Sequence, residues 1–155
     1  RSPLPAKPFV TEHCTGGCRI TAFFCGTIFS ILRIPETLGG LPVREIGEDV
    51  FKGNQIIREV FLPKNLRIIR SAAFMNSSVQ RVYFASGLQV IERGAFQESH
   101  LKSAILPNTV LELGAYAFAD TPLERLHLSE GVMDVGERPS EDCCFQWAQQ
   151  RVKNS

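Results

Sequence analysis

Phenylalanine recurs at a nearly constant interval through the middle of the chain. Phe51, Phe74, Phe96 and Phe118 are separated by 23, 22 and 22 residues. A small or aliphatic residue precedes each of them, an aliphatic residue stands five positions earlier, and at least seven apolar columns keep this register over four units. One unit of this length cannot bury its apolar residues alone, so neighbouring units must stack and share a core. The spacing therefore predicts a solenoid in which each unit is one coil.

Each unit contains one short strand followed by a turn. A segment such as Val60-Phe61-Leu62 alternates apolar residues that point inward with one residue that points outward. Pro63 and Pro107 follow the last inward residue and are expected to end the strand. A polar residue stands three positions after each phenylalanine, where its side chain is expected to bond backbone groups at the turn. These residues are Asn54, Ser77, Ser99 and Thr121.

The units resemble those of a known repeat family. The segment IPETLGGLPVREIGEDVF (34–51) and units such as LPNTVLELGAYAFADTPLERLHL (106–128) are similar to the BspA-like, or Treponema pallidum-type, leucine-rich repeat family over about residues 20–135. The resemblance implies a leucine-rich-repeat solenoid of α/β type, made mostly of short parallel β-strands with turns and short helical segments. It also implies an N-terminal β-hairpin cap over about residues 18–35.

The sequence departs from the family pattern at two places. Ala85-Ser86 stands where Leu-Pro is usual, and Pro139-Ser140 stands where the next phenylalanine is due, 22 residues after Phe118. We therefore expect four to five coils, with the regular array ending near Gly136.

Three segments are predicted along the chain. Residues 1–13, with three prolines in the first eight positions, are expected to be a flexible lead-in, and residues 14–139 form the repeat domain. Residues 140–155 are expected to cap the C-terminal end as a helix, with Ser140 as its N-cap. Alternatively, Phe145 continues the repeat, because it lies 22 residues after Leu123. The chain begins at Arg1 rather than Met, which fits a processed N-terminus.

The longest apolar stretch does not have the character of a membrane span. It runs from Ile20 to Ile34 and is interrupted by Gly26, Thr27, Ser30 and Arg33, whereas a membrane helix needs ~20 predominantly apolar residues. Its aromatic and β-branched residues favour two strands joined by a turn.

The net charge argues against nucleic-acid binding, and the lack of catalytic motifs argues against an enzyme. The net charge is only +1, whereas broad nucleic-acid binding needs a strongly basic face. The sequence carries no Ser-His-Asp signature, phosphate loop or paired-carboxylate motif, and Gly39-Gly40 belongs to a turn of the repeat pattern. We expect no enzymatic activity, no cofactor and no metal.

The cysteines lie in the terminal segments, outside the regular coils. They are Cys14, Cys18, Cys25, Cys143 and Cys144, and their odd number leaves at least one thiol unpaired or intermolecular. A disulfide between Cys14 and Cys18, a metal held with His13, and free or buried thiols are the alternatives. The metal lacks a second ligand pair at ordinary zinc spacing.

The candidate binding residues are those that face outward on the strands. One column consists of Phe61, Tyr83, Ile105 and His127, and a second column, two positions earlier, consists of Glu59, Arg81, Ser103 and Arg125. Strands lie ~4.8 Å apart, so the first column spans about 14 Å. Aromatic and aliphatic side chains in such a line form an exposed patch, and tyrosine and arginine are favoured interface anchors. Alternatively, these residues are β-formers on a sheet surface or are covered by the N-terminal segment.

Two functions fit this pattern. One is a non-catalytic protein-binding module, in which the strand column holds another protein. The resemblance implies a surface-exposed or secreted protein that attaches to host matrix proteins or other cells. The other is a structural, self-assembling protein that uses the same apolar column.

Overall fold

The computed structural model describes residues 8–24, 29–129 and 131–134. It contains thirteen strands, most of them two or three residues long. They are β1 (Phe9–Cys14), β2 (Gly17–Phe23), β3 (Ile31–Arg33), β4 (Thr37–Leu38), β5 (Leu41–Ile46), β6 (Glu59–Phe61), β7 (Ile68–Ile69), β8 (Arg81–Tyr83), β9 (Val90–Ile91), β10 (Ser103–Ile105), β11 (Glu112–Leu113), β12 (Arg125–His127) and β13 (Met133–Asp134).

Strands of successive coils pair in parallel on two sides of the solenoid. One sheet runs in the order β1-β2-β5-β7-β9-β11-β13, with β4 paired to β5. The other side carries a three-stranded sheet, β3-β6-β8, followed by a two-stranded sheet, β10-β12. Equivalent residues stand side by side, as in the pairs Val60–Val82 and Ala104–Leu126. The predicted solenoid of stacked parallel strands is confirmed.

A row of phenylalanine rings runs through the core. Neighbouring ring centroids lie 4.9 Å apart for Phe51 and Phe74, 5.1 Å for Phe74 and Phe96, and 5.6 Å for Phe96 and Phe118. The rings are within 13° of parallel and are almost completely buried. The internal row predicted from the spacing is confirmed, and it extends towards the N-terminus because Phe23 packs on Phe51 at 5.2 Å.

The polar column bonds the backbone of each turn, as predicted. The hydroxyl groups of Ser77 and Thr121 each donate to the carbonyl of the phenylalanine three residues earlier, at 2.8 Å. The Asn54 side-chain oxygen accepts from the N–H groups of Ile56 and Ile57 at 3.0 and 2.9 Å. These bonds satisfy backbone groups that the change of chain direction leaves without a strand partner.

The short helical segments implied by the resemblance, and with them the α/β type of the solenoid, are not found, because the described ranges contain no helix. Residues on both sides of each core phenylalanine have left-handed backbone conformations, as at Ala72 (φ 56°) and Asn76 (φ 51°). Single left-handed residues end a right-handed helical turn. The turns bond to the next coil instead, for example from the Phe51 N–H to the Ala73 carbonyl at 2.7 Å.

The N-terminal hairpin lies earlier than expected. β1 and β2 pair antiparallel around a turn that contains Gly16, whose φ is 82°. The predicted hairpin over residues 18–35 is wrong, because its two strands do not pair with each other. β2 pairs with β5, whereas β3 pairs with β6 on the other side of the solenoid. The expected flexible segment 1–13 is wrong from Phe9 onwards: this residue is buried, and its ring packs 5.2 Å from Phe23, which holds β1 on the core.

The expectations for the C-terminus lie outside the described residues. They are the helix over 140–155, the alternative that Phe145 continues the repeat, and the end of the array near Gly136. Within the ranges that are described, the chain contains no helix of the length and hydrophobicity that a membrane crossing needs.

Candidate binding surface on the strands

Five short strands present their side chains on one side of the solenoid. In each of β3, β6, β8, β10 and β12 the central residue is buried, and the residues on either side of it point outward. We call the outward side chains of these five strands the strand face. Because equivalent residues stand in register, each outward position forms a column across β3, β6 and β8 and another across β10 and β12.

A stacked pair of aromatic rings dominates the first part of the strand face. Phe61 and Tyr83 lie side by side on β6 and β8, with centroids 4.2 Å apart and planes 8° from parallel. The Arg33 guanidinium on β3 lies 4.0 Å from the centroid of the Phe61 ring. The Tyr83 hydroxyl donates to the Glu59 carboxylate at 3.1 Å. Arginine, two rings and a carboxylate therefore form one continuous cluster.

The second part of the strand face combines one exposed aliphatic side chain with polar ones. Ile105 and His127 are paired in register on β10 and β12, next to the pair Ser103 and Arg125. The Ile105 side chain is 60% exposed, compared with 45% for Tyr83.

The structure thus brings the eight predicted site residues onto one side, but in two groups. The first group, on the three-stranded sheet, comprises Glu59, Phe61, Arg81 and Tyr83, and the second, on the two-stranded sheet, comprises Ser103, Ile105, Arg125 and His127. The sheet ladder is interrupted between β8 and β10, at the coil in which Ala85-Ser86 replaces the usual Leu-Pro.

Sequence reasoning missed two residues of the strand face, Ile31 and Arg33. They pair in register with Glu59 and Phe61, and Ile31 is 47% exposed. A signal was present, because Ile34-Pro35 repeats the pattern of Leu62-Pro63. Its offset is 28 residues rather than 22, so a search at the regular period passes over it.

A chain of ion pairs crosses the opposite sheet. The Glu45 carboxylate accepts from Nε of Arg19 at 2.8 Å and from Nε of Arg70 at 2.9 Å. Arg19 also bonds Glu12, and Arg70 bonds Glu92 at 2.8 Å. Burial opposes ionisation of Glu45, but the hydrogen bonds and charges of Arg19 and Arg70 outweigh it and lower its pKa. Glu12, Arg19, Arg70 and Glu92 border an open groove of about 420 Å³. The pairing of all five groups identifies them as structural links between coils.

The two described cysteines are free thiols. Cys14 is half-buried and Cys18 is buried, and burial is the main cause that raises the pKa of each thiol. The disulfide between them, one of the three alternatives, is therefore not formed. Across residues 8–24, 29–129 and 131–134, no group of three His, Cys, Asp or Glu side chains is arranged to hold a metal ion. Cys25, Cys143 and Cys144 lie outside the described residues.

Stacked parallel strands, one buried phenylalanine per coil and a capping hairpin define a leucine-rich-repeat solenoid. The model of the BspA type Leucine rich repeat region matches residues 21–146 in six copies. The chain belongs to this family. The predicted membership is confirmed, and the six copies exceed the four to five coils counted from the spacing.

Several solved structures share this fold. A leucine-rich repeat protein from Bacteroides ovatus superposes with a TM-score of 0.73 at 23% identity, over 84% of this chain and 36% of that one. The T. pallidum leucine rich repeat protein gives a TM-score of 0.59 at 24% identity, over 99% of this chain and 95% of that one. The pneumococcal vaccine antigen PcpA gives 0.63 at 21% identity, over 80% and 36%.

The chain thus spans only 36% of the length of the Bacteroides ovatus protein and of PcpA. No curated protein matches the sequence significantly.

Proposed function

We propose that this protein is a non-catalytic binding module whose strand face holds a protein partner. The observation that carries the proposal is the stack of the half-buried Phe61 on the exposed Tyr83, with the exposed Ile105 on the same side of the solenoid. Exposed apolar groups of this kind commonly mark interaction sites. Stacking also fixes the two rings before a partner arrives, which reduces the side-chain entropy that binding must overcome.

The test removes the aromatic stack and measures binding of an identified partner. Proteins retained from serum and extracellular-matrix preparations are identified by mass spectrometry, purified, and titrated against the wild type by surface plasmon resonance. We expect the double variant Phe61→Ser and Tyr83→Ser to weaken binding at least about tenfold, since buried aromatic anchors carry about 2 kcal/mol or more each. Circular dichroism checks that the fold is retained.

Leu111→Ser is the matched control. Leu111 is 49% exposed but precedes β11 on the other sheet, so its loss removes apolar surface outside the strand face. Unchanged binding by the double variant, or an equal loss in the control, would contradict a partner site on the strand face.

Self-assembly through the same column is the competing outcome. Light scattering over a concentration series separates the two. A protein that stays monomeric at all concentrations supports a different protein as the partner. A dimer that is abolished by the two serine substitutions would identify the partner as a second copy of the chain.

We further propose that the module works outside the cytoplasm, as part of a surface-exposed or secreted protein that attaches to other cells or matrix proteins. Support comes from two structures of the same fold, whose names describe a vaccine antigen and a leucine rich cell surface protein. Antibody labelling of intact cells that produce the protein tests this. Labelling before permeabilisation is the expected result, and labelling only after permeabilisation would contradict it.

A further inference from the structure

Charge is distributed unevenly between the strand face and the remaining surface. Cationic side chains on or directly before the five strands are Arg33, Arg58, Arg81, Lys102 and Arg125, against the carboxylates Glu59 and Glu124. These seven residues together carry +3 (five cations less two carboxylates), whereas the whole chain carries only +1, so the rest of the sequence carries −2. A positive region with a surrounding of opposite sign orients an anionic partner as it approaches.

The arginines of the strand face are available to a partner. Arg33, Arg81 and Arg125 are exposed, and within the described part of the chain none of them forms an ion pair. The arginines of the opposite sheet differ, since Arg19 and Arg70 are bonded to carboxylates. These three cations are therefore not tied up in ion pairs between the described coils, and Arg33 packs on the Phe61 ring of the next coil instead.

The aromatic stack has the same electrostatic preference. Phe61 and Tyr83 turn their ring faces towards each other, and Arg33 lies over the outer face of Phe61. The Phe61 ring therefore presents mainly its edge to solvent. The face of an aromatic ring is negative and its edge is positive, so ring edges favour anionic neighbours.

We infer that the partner of the strand face is an acidic protein segment, extended along the columns, whose carboxylates meet the arginines and whose apolar side chains meet Tyr83 and Ile105. This inference rests on the proposed function and specifies its ligand. A protein segment is favoured over a polyanion such as a sulfated glycan because Ile31, Tyr83 and Ile105 expose 47%, 45% and 60% of their surface. Those apolar groups find contacts on side chains and not on a chain of sulfates.

Selection from a random peptide library separates the inference from the proposed function. The immobilised wild-type protein is the bait, and selected peptides are screened again on the double variant Phe61→Ser and Tyr83→Ser. We expect the peptides that need the aromatic pair to be enriched in Asp and Glu. Peptides that need the pair but have no acidic enrichment would overturn the inference and leave the proposed function intact. Peptides that bind both proteins equally would overturn both.

Charge reversal then tests the arginines directly with a labelled peptide in which Glu alternates with Leu. We expect Arg81→Glu with Arg125→Glu to weaken its binding by about tenfold or more, since like charges repel across an interface. Lys52→Glu, an exposed reversal in a turn outside the strands, is the control and is expected to change binding less than about twofold. Equal effects of both reversals would overturn the inference. Two control peptides have Lys or Gln in place of Glu. Full competition by a sulfated oligosaccharide, together with equal binding of all three peptides, would also overturn the inference.

Discussion

At the scale of single residues, the coils depend on backbone conformations that most side chains avoid. Each coil has a left-handed residue two positions before its core phenylalanine and another two positions after it. The first set is Asp49, Ala72, Gly94 and Tyr116, and the second is Gly53, Asn76, Glu98 and Asp120. A side chain in this conformation costs about 1 kcal/mol or more relative to glycine.

Two substitutions with opposite expected effects on stability test this cost. Gly53 has a φ of 74°, and no atom lies within 4 Å of an added Cβ, so Gly53→Ala isolates the backbone effect. We expect it to lower the free energy of unfolding by about 1 kcal/mol, and the exposed Glu98→Gly to raise it by about 0.5 kcal/mol or more. Urea denaturation measures both. Lys52→Ala is the control, because Lys52 lies beside Gly53 but is not in a left-handed conformation. A loss of stability in Lys52→Ala as large as in Gly53→Ala would refute the backbone explanation.

These positions also mark a limit of sequence reasoning at the residue scale. Phenylalanines and polar turn residues could be placed because residue type and period agree in every coil. The left-handed positions carry Asp, Ala, Gly, Tyr, Asn and Glu, and only two of them are glycine. Since the inter-coil bonds stabilise the conformation whatever the side chain, residue type does not reveal it.

At the scale of elements, the ion-pair chain attaches the hairpin to the coils. Glu12 and Arg19 lie on β1 and β2, Glu45 lies on β5, and Arg70 and Glu92 directly follow β7 and β9. The link between Arg70 and Glu92 is predictable, because they stand one period apart. The link between Arg19 and Glu45 is not, because the register of the hairpin with the first coil does not follow the period.

Glu45 gives this attachment a dependence on pH. Its pKa is lower in the folded protein than the ordinary 4.5, so its contribution to stability is complete above the unfolded pKa and is lost as the pH falls through the folded value. We expect Glu45→Gln to destabilise the protein by about 1–2 kcal/mol at pH 7, because two partly buried arginines each lose one of their two carboxylate partners. The difference from the wild type, measured by urea denaturation from pH 7 to pH 3, should shrink below about pH 4.5. A difference that stays constant over this range would contradict the stabilising role of the ionised Glu45.

Glu112→Gln is the control, because Glu112 is exposed on β11 outside the chain of ion pairs.

At the scale of the whole molecule, two sheets and one row of rings join the coils unequally. The sheet from β1 to β13 is continuous, whereas the strand face is interrupted between β8 and β10. Where the strand face is interrupted, Phe96 joins the coils on either side. Its ring stacks on Phe74 at 5.1 Å and on Phe118 at 5.6 Å, and makes a T-shaped contact with Phe84 at 5.8 Å. The periodicity predicted the row of rings; it did not predict the interruption, which depends on how one atypical coil packs.

Repeat proteins unfold cooperatively only while the interfaces between neighbouring coils remain strong. Phe96→Leu weakens the interfaces on both sides at the level where the strand face already lacks its ladder. We expect it to cost about 1–2 kcal/mol, by comparison with the 3–5 kcal/mol of a complete truncation to alanine. We also expect a lower urea m value, because the halves on either side then unfold separately. Phe51→Leu is the control: it also removes one ring of the row, but where β3, β6 and β8 keep their ladder. In the variant Phe96→Leu, hydrogen exchange should show the amides of β10 and β12 opening before those of β6 and β8. In Phe51→Leu the amides of all four strands should open together. Simultaneous opening in both variants would refute the separation into halves.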